Sequence, residues 1–562
     1  MNIQWISLRL FIVIIIVLTF SWACNNSKQS PERDIARSPQ ELTEKAINHI
    51  DNLLSKADNN DGKIDDSMIL HQVKPVQLIY KQTGNNTTWS KGEKWLPAGD
   101  SLLDFIENAK LYGLFPEDYH YEQLSFIRNK FSKDAFAESD RKDASLWARA
   151  DLMLSDAFVQ IIKDVKLGRL PHDSIYLRKD SILNNDGCLQ QWNILQQTGS
   201  LSQVIRVLEP RQEGYRLLKA GIKNFLDSFD HRSYTYVPSP SKDRAKYKQA
   251  LQKRLSEGGF IETDSLVADS VQLSLALKKF QEQKRIEADG KIGNETLRML
   301  NTSDSERFVH IAITMDRYKT LPEKMPEKFL WVNLPAFTLQ LWEYDSIKML
   351  SKVICGKPAT RSPVLTSAIA ELITYPKWTI PASIIEKEVL PGLKKSSQYT
   401  VKKGFTIFDS KGNEVSPDSV DWSKYKKAIP YHVVQGSGDA NALGVLKFNF
   451  SNKYAVYLHD TNERYLFGRN ERDLSHGCIR VQQWRQLADY VINNDSAEDI
   501  PERLDSLQTW LKNKEKHSLS IKNKLPLFIR YFTCEGKDGR VVFYDDIYGE
   551  DRILIGKYFS RK

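Results

Sequence analysis

A chain of 562 residues that is 41% hydrophobic and 10% aromatic can bury several cores and at the usual domain size holds three or four units, which excludes a disordered polymer. Its 80 Lys plus Arg against 71 Asp plus Glu leave a net charge of +9, small for this length and without the dense basic block that marks nucleic-acid contact. No nucleic acid is therefore expected as a partner.

Residues 1–24 carry one early cation, Arg9, then an uncharged apolar run from Leu10 to Phe20 and small residues before Cys24. This pattern is an export signal, and the run is shorter than the roughly 20 residues that span a bilayer. Ser21-Trp22-Ala23-Cys24 resembles a lipoprotein cleavage box, although Ser21 stands where Leu is preferred and Trp22 is bulky. The expectation is a lipidated Cys24 as membrane anchor, the alternatives being an unlipidated cysteine in the signal or an uncleaved anchor; either way, the rest of the chain is expected outside the cytoplasm, in the periplasmic part of a bacterial envelope. Residues 25–39 are polar and suit a tether. From 40 to 257 apolar residues recur at three-to-four spacing, as in 144–161, 201–208 and 217–229, which predicts a mainly helical domain.

Residues 258–302 contain LALKKFQEQKRIEADGKIGNETLRMLN. Leu277 and Phe280 share a helical face, Asp289-Gly290 is a turn, and Asn294 can cap a short helix. Phe280, Gln281, Asp289, Gly290, Ile292, Gly293, Thr296, Leu297, Leu300 and Asn301 resemble the three-helix peptidoglycan-binding module, which implies contact with glycan strands. From 325 to 562 the texture changes to strands, as in FLWVNLPAFTLQLWEY, LGVLKFNF and PLFIRYFTC. A polar insertion at about 386–439 reads as a lid, with Trp422, Tyr425 and Tyr431 for apolar contact and Lys394, Lys395, Lys402 and Lys403 for acidic substrate.

Five cysteines are widely spaced, without a paired pattern, so no disulfide framework is indicated. Cys478 stands apart. In YLHDTNERYLFGRNERDLSHGCIRV (457–481), alternation puts Ala455, Tyr457 and His459 on one strand face and Tyr454, Val456 and Leu458 on the other. A polar loop returns to Ser475-His476-Gly477-Cys478-Ile479-Arg480, anchored by an apolar helical stripe from Trp484 to Ile492. A thiol attacks as thiolate and needs a base. Both His459 and His476 qualify, and His459 is favoured because His476 is too close along a tight turn. Gly477 lets nearby backbone N–H groups point at an oxyanion, and Arg480 supplies a fixed positive charge for a carboxylate or for loop order. A structural cysteine, or zinc on His459, His476 and Cys478, are the competing readings; His-Gly-Cys is not a usual ligand spacing, so no metal or cofactor is expected.

His459, fifteen intervening residues, then Ser475-His476-Gly477-Cys478-Ile479-Arg480 resembles the signature of the L,D-transpeptidase (YkuD-type) catalytic domain. GKPATRSPV (356–364), PKWTIP (376–381), NALG (441–444), YLHDT (457–461) and DGRVVFYDDIYGED (538–551) resemble its larger YcbB-like branch, and GLFPEDYH (113–120) resembles that branch's scaffold domain. The fold class implied is multi-domain α+β: helical scaffold, small binding module, and β-rich catalytic domain with a capping insertion. The resemblance implies that Cys478 attacks a stem tetrapeptide at its third residue, expels D-Ala, and passes the thioester to a neighbouring stem's amine, giving a 3-3 cross-link in cell-wall biogenesis and shape. His459 would be the proton carrier, oriented by a neighbouring group such as Asp460. The alternatives are an L,D-carboxypeptidase or wall hydrolase passing the same thioester to water, and a non-catalytic wall-binding scaffold.

Overall fold

The computed structural model describes residues 33–131, 138–170, 183–239, 243–261, 270–284 and 286–559. The export signal with Cys24 and most of the tether lie outside them. The chain divides into two compact units, residues 1–169 with 180–210, and 170–179 with 211–562.

The first unit is helical, as expected, and is built around Ala144–Leu167. Asp143 caps this helix by accepting from Ser145 N–H, and the helix is buried nearly all round, so it is core rather than surface. Its buried Asp151 accepts from the main-chain N–H groups of Thr88 and Trp89 at 2.8 and 3.0 Å and from the Tyr80 hydroxyl at 2.6 Å, which satisfies a carboxylate that would otherwise be costly to bury. The hairpins Lys63–Asp65 with Met68–Ile69, and Ser90–Lys91 with Lys94–Trp95, were not expected, since strands of two or three residues are too short to show a period.

In the second unit, helices Arg244–Glu257, Ser270–Lys284 and Asn294–Asn301 enclose one small core with Leu251, Leu255, Leu277, Phe280 and Leu300. The first of these helices was read from sequence as scaffold; its Leu251 and Leu255 pack into the module instead. Gln281 explains the module's signature: its Oε1 accepts from Gly290 N–H at 2.8 Å, and its Nε2 donates to Asp289 Oδ1, Lys291 O and Thr296 Oγ1 at 2.9–3.0 Å. Gly290 has φ +70°, and a Cβ there would lie 2.5 Å from Ser274 Oγ. Asn294 is the first helical residue rather than the cap, which is Gly293.

The β-rich part is a sheet of nine strands: β1 Lys328–Asn333, β2 Thr338–Glu343, β3 Ser346–Gly356, β4 Leu365–Thr374, β5 Leu446–Phe450, β6 Leu458–His459, β7 Asp473–Ser475, β8 Ile479–Val481 and β9 Ser518–Arg530. Their order is β7-β3-β8-β6-β5-β4-β9-β1-β2, and β2 also pairs with β3, which closes eight of them into a barrel and removes the free edges. Leu330, Val332, Leu339, Val353, Ile369, Phe448, Leu527 and Ile529 fill its core. Between β4 and β5 the insertion forms a subdomain with its own core of Ile380, Ile384, Val389, Leu393, Ile407, Trp422 and Val433. It begins earlier than residue 386, because Trp378–Thr379 is an edge strand of its three-stranded sheet.

Helix Glu213–Asp227, also read as scaffold, belongs to the second unit. It lies against the hairpin Cys534–Lys537 with Arg540–Phe543, where a Cβ on Gly536 would come within 2.1 Å of Leu217 C and one on Gly221 within 2.6 Å of Arg540 C. Main chain meets main chain here, so neither surface can yield by rotating a side chain. Gly536→Ala is expected to cost about 2 kcal/mol or more, read as a lowered urea midpoint at unchanged slope; an unchanged midpoint would show that the helix moves aside freely.

Candidate active site

Strand register assembles the reactive face. Lys447 on β5 pairs with His459 on β6, His459 pairs with Arg480 on β8, and Ile479 N–H donates to Tyr457 O at 3.1 Å, which puts Cys478 beside Tyr457. Because paired residues project to the same side, Lys447, Tyr457, His459, Cys478 and Arg480 share one face. Phe448, Leu458 and Ile479 project to the other and are buried in the core. The Tyr457 and His459 rings are 5.6 Å apart, and Lys447 Nζ lies 4.0 Å from the Tyr457 ring centroid. The alternation expected from Tyr454 holds only from Val456 onward, since Ala455 turns the chain with φ +53° and the strand starts at Leu458.

Cys478 is held by a turn that Ser475 closes: Ser475 Oγ donates to Cys478 O at 2.6 Å and accepts from Gly477 N–H at 3.1 Å. Gly477 has φ +120°, a conformation side chains rarely adopt, and that is what requires glycine here. Its N–H is engaged by Ser475, so of the backbone N–H groups around His476 to Cys478 expected to face an oxyanion, that of Gly477 is already taken. The loop 356–362 braces the turn from behind. Lys357 N–H and Thr360 Oγ1 both donate to Ser475 O, at 2.9 and 3.1 Å, and Ser362 Oγ donates to Gly477 O at 2.7 Å. Tyr548, from the C-terminal segment, donates to Gly356 O at 2.6 Å and accepts from Ser362 N–H at 3.2 Å. Ser362 and Tyr548 were missed as positioning residues, although they lie in motifs already singled out.

Residues 327–498 match the family model of the L,D-transpeptidase catalytic domain, 74–221 that of the scaffold domain, and 248–300 that of a "Putative peptidoglycan binding domain". Over residues 327–498 the chain is therefore similar to L,D-transpeptidase catalytic domains. A "Putative L,D-transpeptidase" of Haemophilus influenzae is 34% identical over 242 residues, 43% of this chain and 48% of that protein, so the chain spans about half the length of the curated relative it matches. Among solved structures, an L,D-transpeptidase from Mycobacterium smegmatis is 12% identical over 36% of this chain and 58% of its own, with a TM-score of 0.18. The Ldtfm–avibactam carbamoyl enzyme is 10% identical over 37% and 49%, with a TM-score of 0.15. At those TM-scores the likeness carries no argument.

Within the matched residues 327–498 the two histidines are sharply distinguished. His459 is 4% exposed and its Nδ1 has no hydrogen-bond partner. Burial, then the Arg480 and Lys447 charges, push its pKa down to about 3, against main-chain hydrogen bonds at Asp460 and Leu443. His476 is exposed and turns to Glu388 of the capping subdomain, Nε2 to Oε1, at 2.5 Å. Asp460 does not orient the His459 ring with its carboxylate, which binds Arg464 at 2.6 and 3.0 Å and Val445 N–H at 3.0 Å. Arg480 donates from Nη1 to Glu463 Oε2 at 2.8 Å, so it orders the polar loop. Among the described residues no cluster of three or more His, Cys, Asp or Glu side chains is set to hold a metal.

The described cysteines are all free, and Cys188, Cys355 and Cys534 are buried while Cys478 is partly open. Burial raises the Cys478 thiol; hydrogen bonds from the main chain and hydroxyl of Tyr457 and the charges of Lys447 and Arg480 act against it. The resting pair is thus neutral thiol and neutral imidazole. In the capping subdomain, Trp422, Tyr425 and Tyr431 pack on one another at 5.7–6.3 Å; Trp422 is part of its core and not a substrate contact, while Tyr425 and Tyr431 are half-buried against that core. Lys395 and Lys402, with Glu388 and Tyr399, line a cavity of about 310 Å³.

The depressed His459 pKa has a stability signature. An unfolded imidazole titrates near 6.5 and the folded one near 3, so between those values the unfolded chain binds the proton. The contribution of a neutral His459 is intact above pH 6.5 and is lost as pH falls, by about 1.4 kcal/mol per pH unit. Between pH 6.5 and 4.5 the urea midpoint of the wild type is expected to fall more steeply than that of His459→Gln; parallel slopes would mean that the ring is not buried neutral.

Proposed function

We propose that the protein is a peptidoglycan L,D-transpeptidase that forms 3-3 cross-links through a thioester on Cys478. The observation that carries this is the partly open Cys478 thiol on the same face as a buried His459 whose Nδ1 has no partner. As Sγ attacks the carbonyl of the third stem residue, its proton passes to the His459 ring. Because the thiol is held up and the imidazole held down, transfer accompanies carbon–sulfur bond formation rather than preceding it. The tetrahedral oxyanion takes the Cys478 N–H. Collapse breaks the C–N bond, the imidazolium returns the proton to the leaving D-Ala amine, and a neighbouring stem's amine then displaces the sulfur with His459 taking its proton.

Glycan strands would be held by the binding module, and the N-terminal anchor would keep the enzyme at the envelope membrane, outside the cytoplasm. The same thioester passed to water would make a carboxypeptidase, and the capping subdomain bears on that choice. His476–Glu388 ties it to the catalytic turn, which favours a cover that excludes water from the thioester.

Cys478→Ala is expected to abolish adduct formation with a tetrapeptide donor, and His459→Ala to slow acylation by about 10²-fold or more, both followed by whole-protein mass. Full activity in Cys478→Ala would end the mechanism. Muropeptide masses from tetrapeptide-rich wall material should include 3-3 dimers; tripeptides alone would mean hydrolysis. Glu388→Gln should raise the hydrolysed share up to about fivefold, the range of one exposed ionic hydrogen bond, and an unchanged ratio would remove the lid reading.

A further inference from the structure

Lys447 is out of place for a barrel lysine. It is half-buried, between the buried Leu446 and Phe448 on β5, and among the described residues its ammonium forms no hydrogen bond or ion pair. The carboxylate that acts on it through space, Glu371, makes its hydrogen bonds elsewhere, to Asn449 Nδ2 at 2.6 Å and to the Ser518 hydroxyl. A cation withdrawn from water without a directly bonded counter-charge is costly. Instead the ammonium rests 4.0 Å from the centroid of the Tyr457 ring, on the strand pair that carries His459 and beside Cys478. Such an arrangement suits a receptor whose anion arrives with the substrate.

Resting on the function proposed above, we propose that Lys447 receives the α-carboxylate of the D-residue that leaves the donor stem. In that residue the carboxylate carbon lies three bonds from the carbonyl carbon attacked by sulfur, at most about 3.8 Å away. An anion there is within reach of an ammonium lying over the ring of Tyr457, the residue next to the thiol. Arg480 is less suited to be the receptor, because its Nη1 is bonded to Glu463 and its Nε is buried away from an incoming anion. The acceptor amine attacks the same carbonyl carbon from which the D-residue amine departed. An acceptor whose amine-bearing carbon also carries a carboxylate therefore meets the same receptor, whereas water brings no anion to it. Lys447 would thus select for the leaving residue and for the acceptor with one charge.

The test uses the full chain and two synthetic tetrapeptide donors identical except for the last group, D-alanine or D-alaninamide. Release of the terminal residue is measured as kcat and KM, with the Cys478 acyl adduct followed by mass. The wild type is expected to prefer the acid donor by about tenfold or more in kcat/KM. In Lys447→Gln and Lys447→Met, each checked by a cooperative melt, the acid-to-amide ratio should collapse to near one through loss of the acid donor. A wild type indifferent to the terminal group overturns the proposal without any variant being needed, and so does a Lys447 variant that loses both donors alike or neither. If the wild type is acylated by neither donor, the transpeptidase reading falls and this inference with it; acylation by both without preference leaves that reading standing and removes only the role of Lys447.

Discussion

The site depends on one short parallel pairing, β6 against β8, with Leu458 opposite Ile479 and His459 opposite Arg480. Each strand is two or three residues long, so the pairing cannot hold itself together through its own hydrogen bonds. It is stable because β5 and β3 flank it on either side and because Leu458 and Ile479 are sunk in the barrel core. A slip of one residue in either strand would bring its aliphatic residue, Leu458 or Ile479, out of the barrel core and put a polar neighbour in its place. The cost of losing that aliphatic burial therefore enforces the register.

Precision at the sulfur comes from a second layer with no chemistry of its own. Ser475 uses its one hydroxyl as both donor and acceptor across the turn, and Ser362 and Tyr548 tie that turn to strand β3 and to the C-terminal segment. These bonds join pieces of chain far apart in sequence, so Cys478 is located by the folded domain as a whole and not by its own loop. That is how a positive-φ glycine next to Cys478 becomes an asset: the turn it permits is fixed from outside.

Much of this was legible in the sequence. Apolar periodicity revealed the helical region, and the strand textures and the His459 to Cys478 segment revealed the catalytic domain, because each is a local pattern. What was not legible depends on tertiary partners. Nothing in HGC says that Gly477 N–H is taken by Ser475, and nothing in DWSKY says that Trp422 packs inward. Helix Arg244–Glu257 has a weak apolar stripe, with only Leu251 and Leu255 among its nonpolar residues fully buried, so its membership of the binding module is decided by what it touches. Asp460 looked like a partner for His459 because it is adjacent, but successive residues on a strand face opposite ways, and its carboxylate goes to Arg464.

The electrostatics of the reactive face follow from the same geometry. Arg480 and Lys447 flank His459 from the two neighbouring strands, so each lowers the basicity of the ring and each favours a thiolate beside it. The two effects oppose one another in the resting state, where the proton stays on sulfur. A donor that brings negative charge to this face weakens the cations' hold on the imidazole, and the developing imidazolium then costs less than it does in the empty site. Full basicity is thereby reserved for the occupied site, which limits proton loss from the thiol, and with it oxidation, while the site is empty.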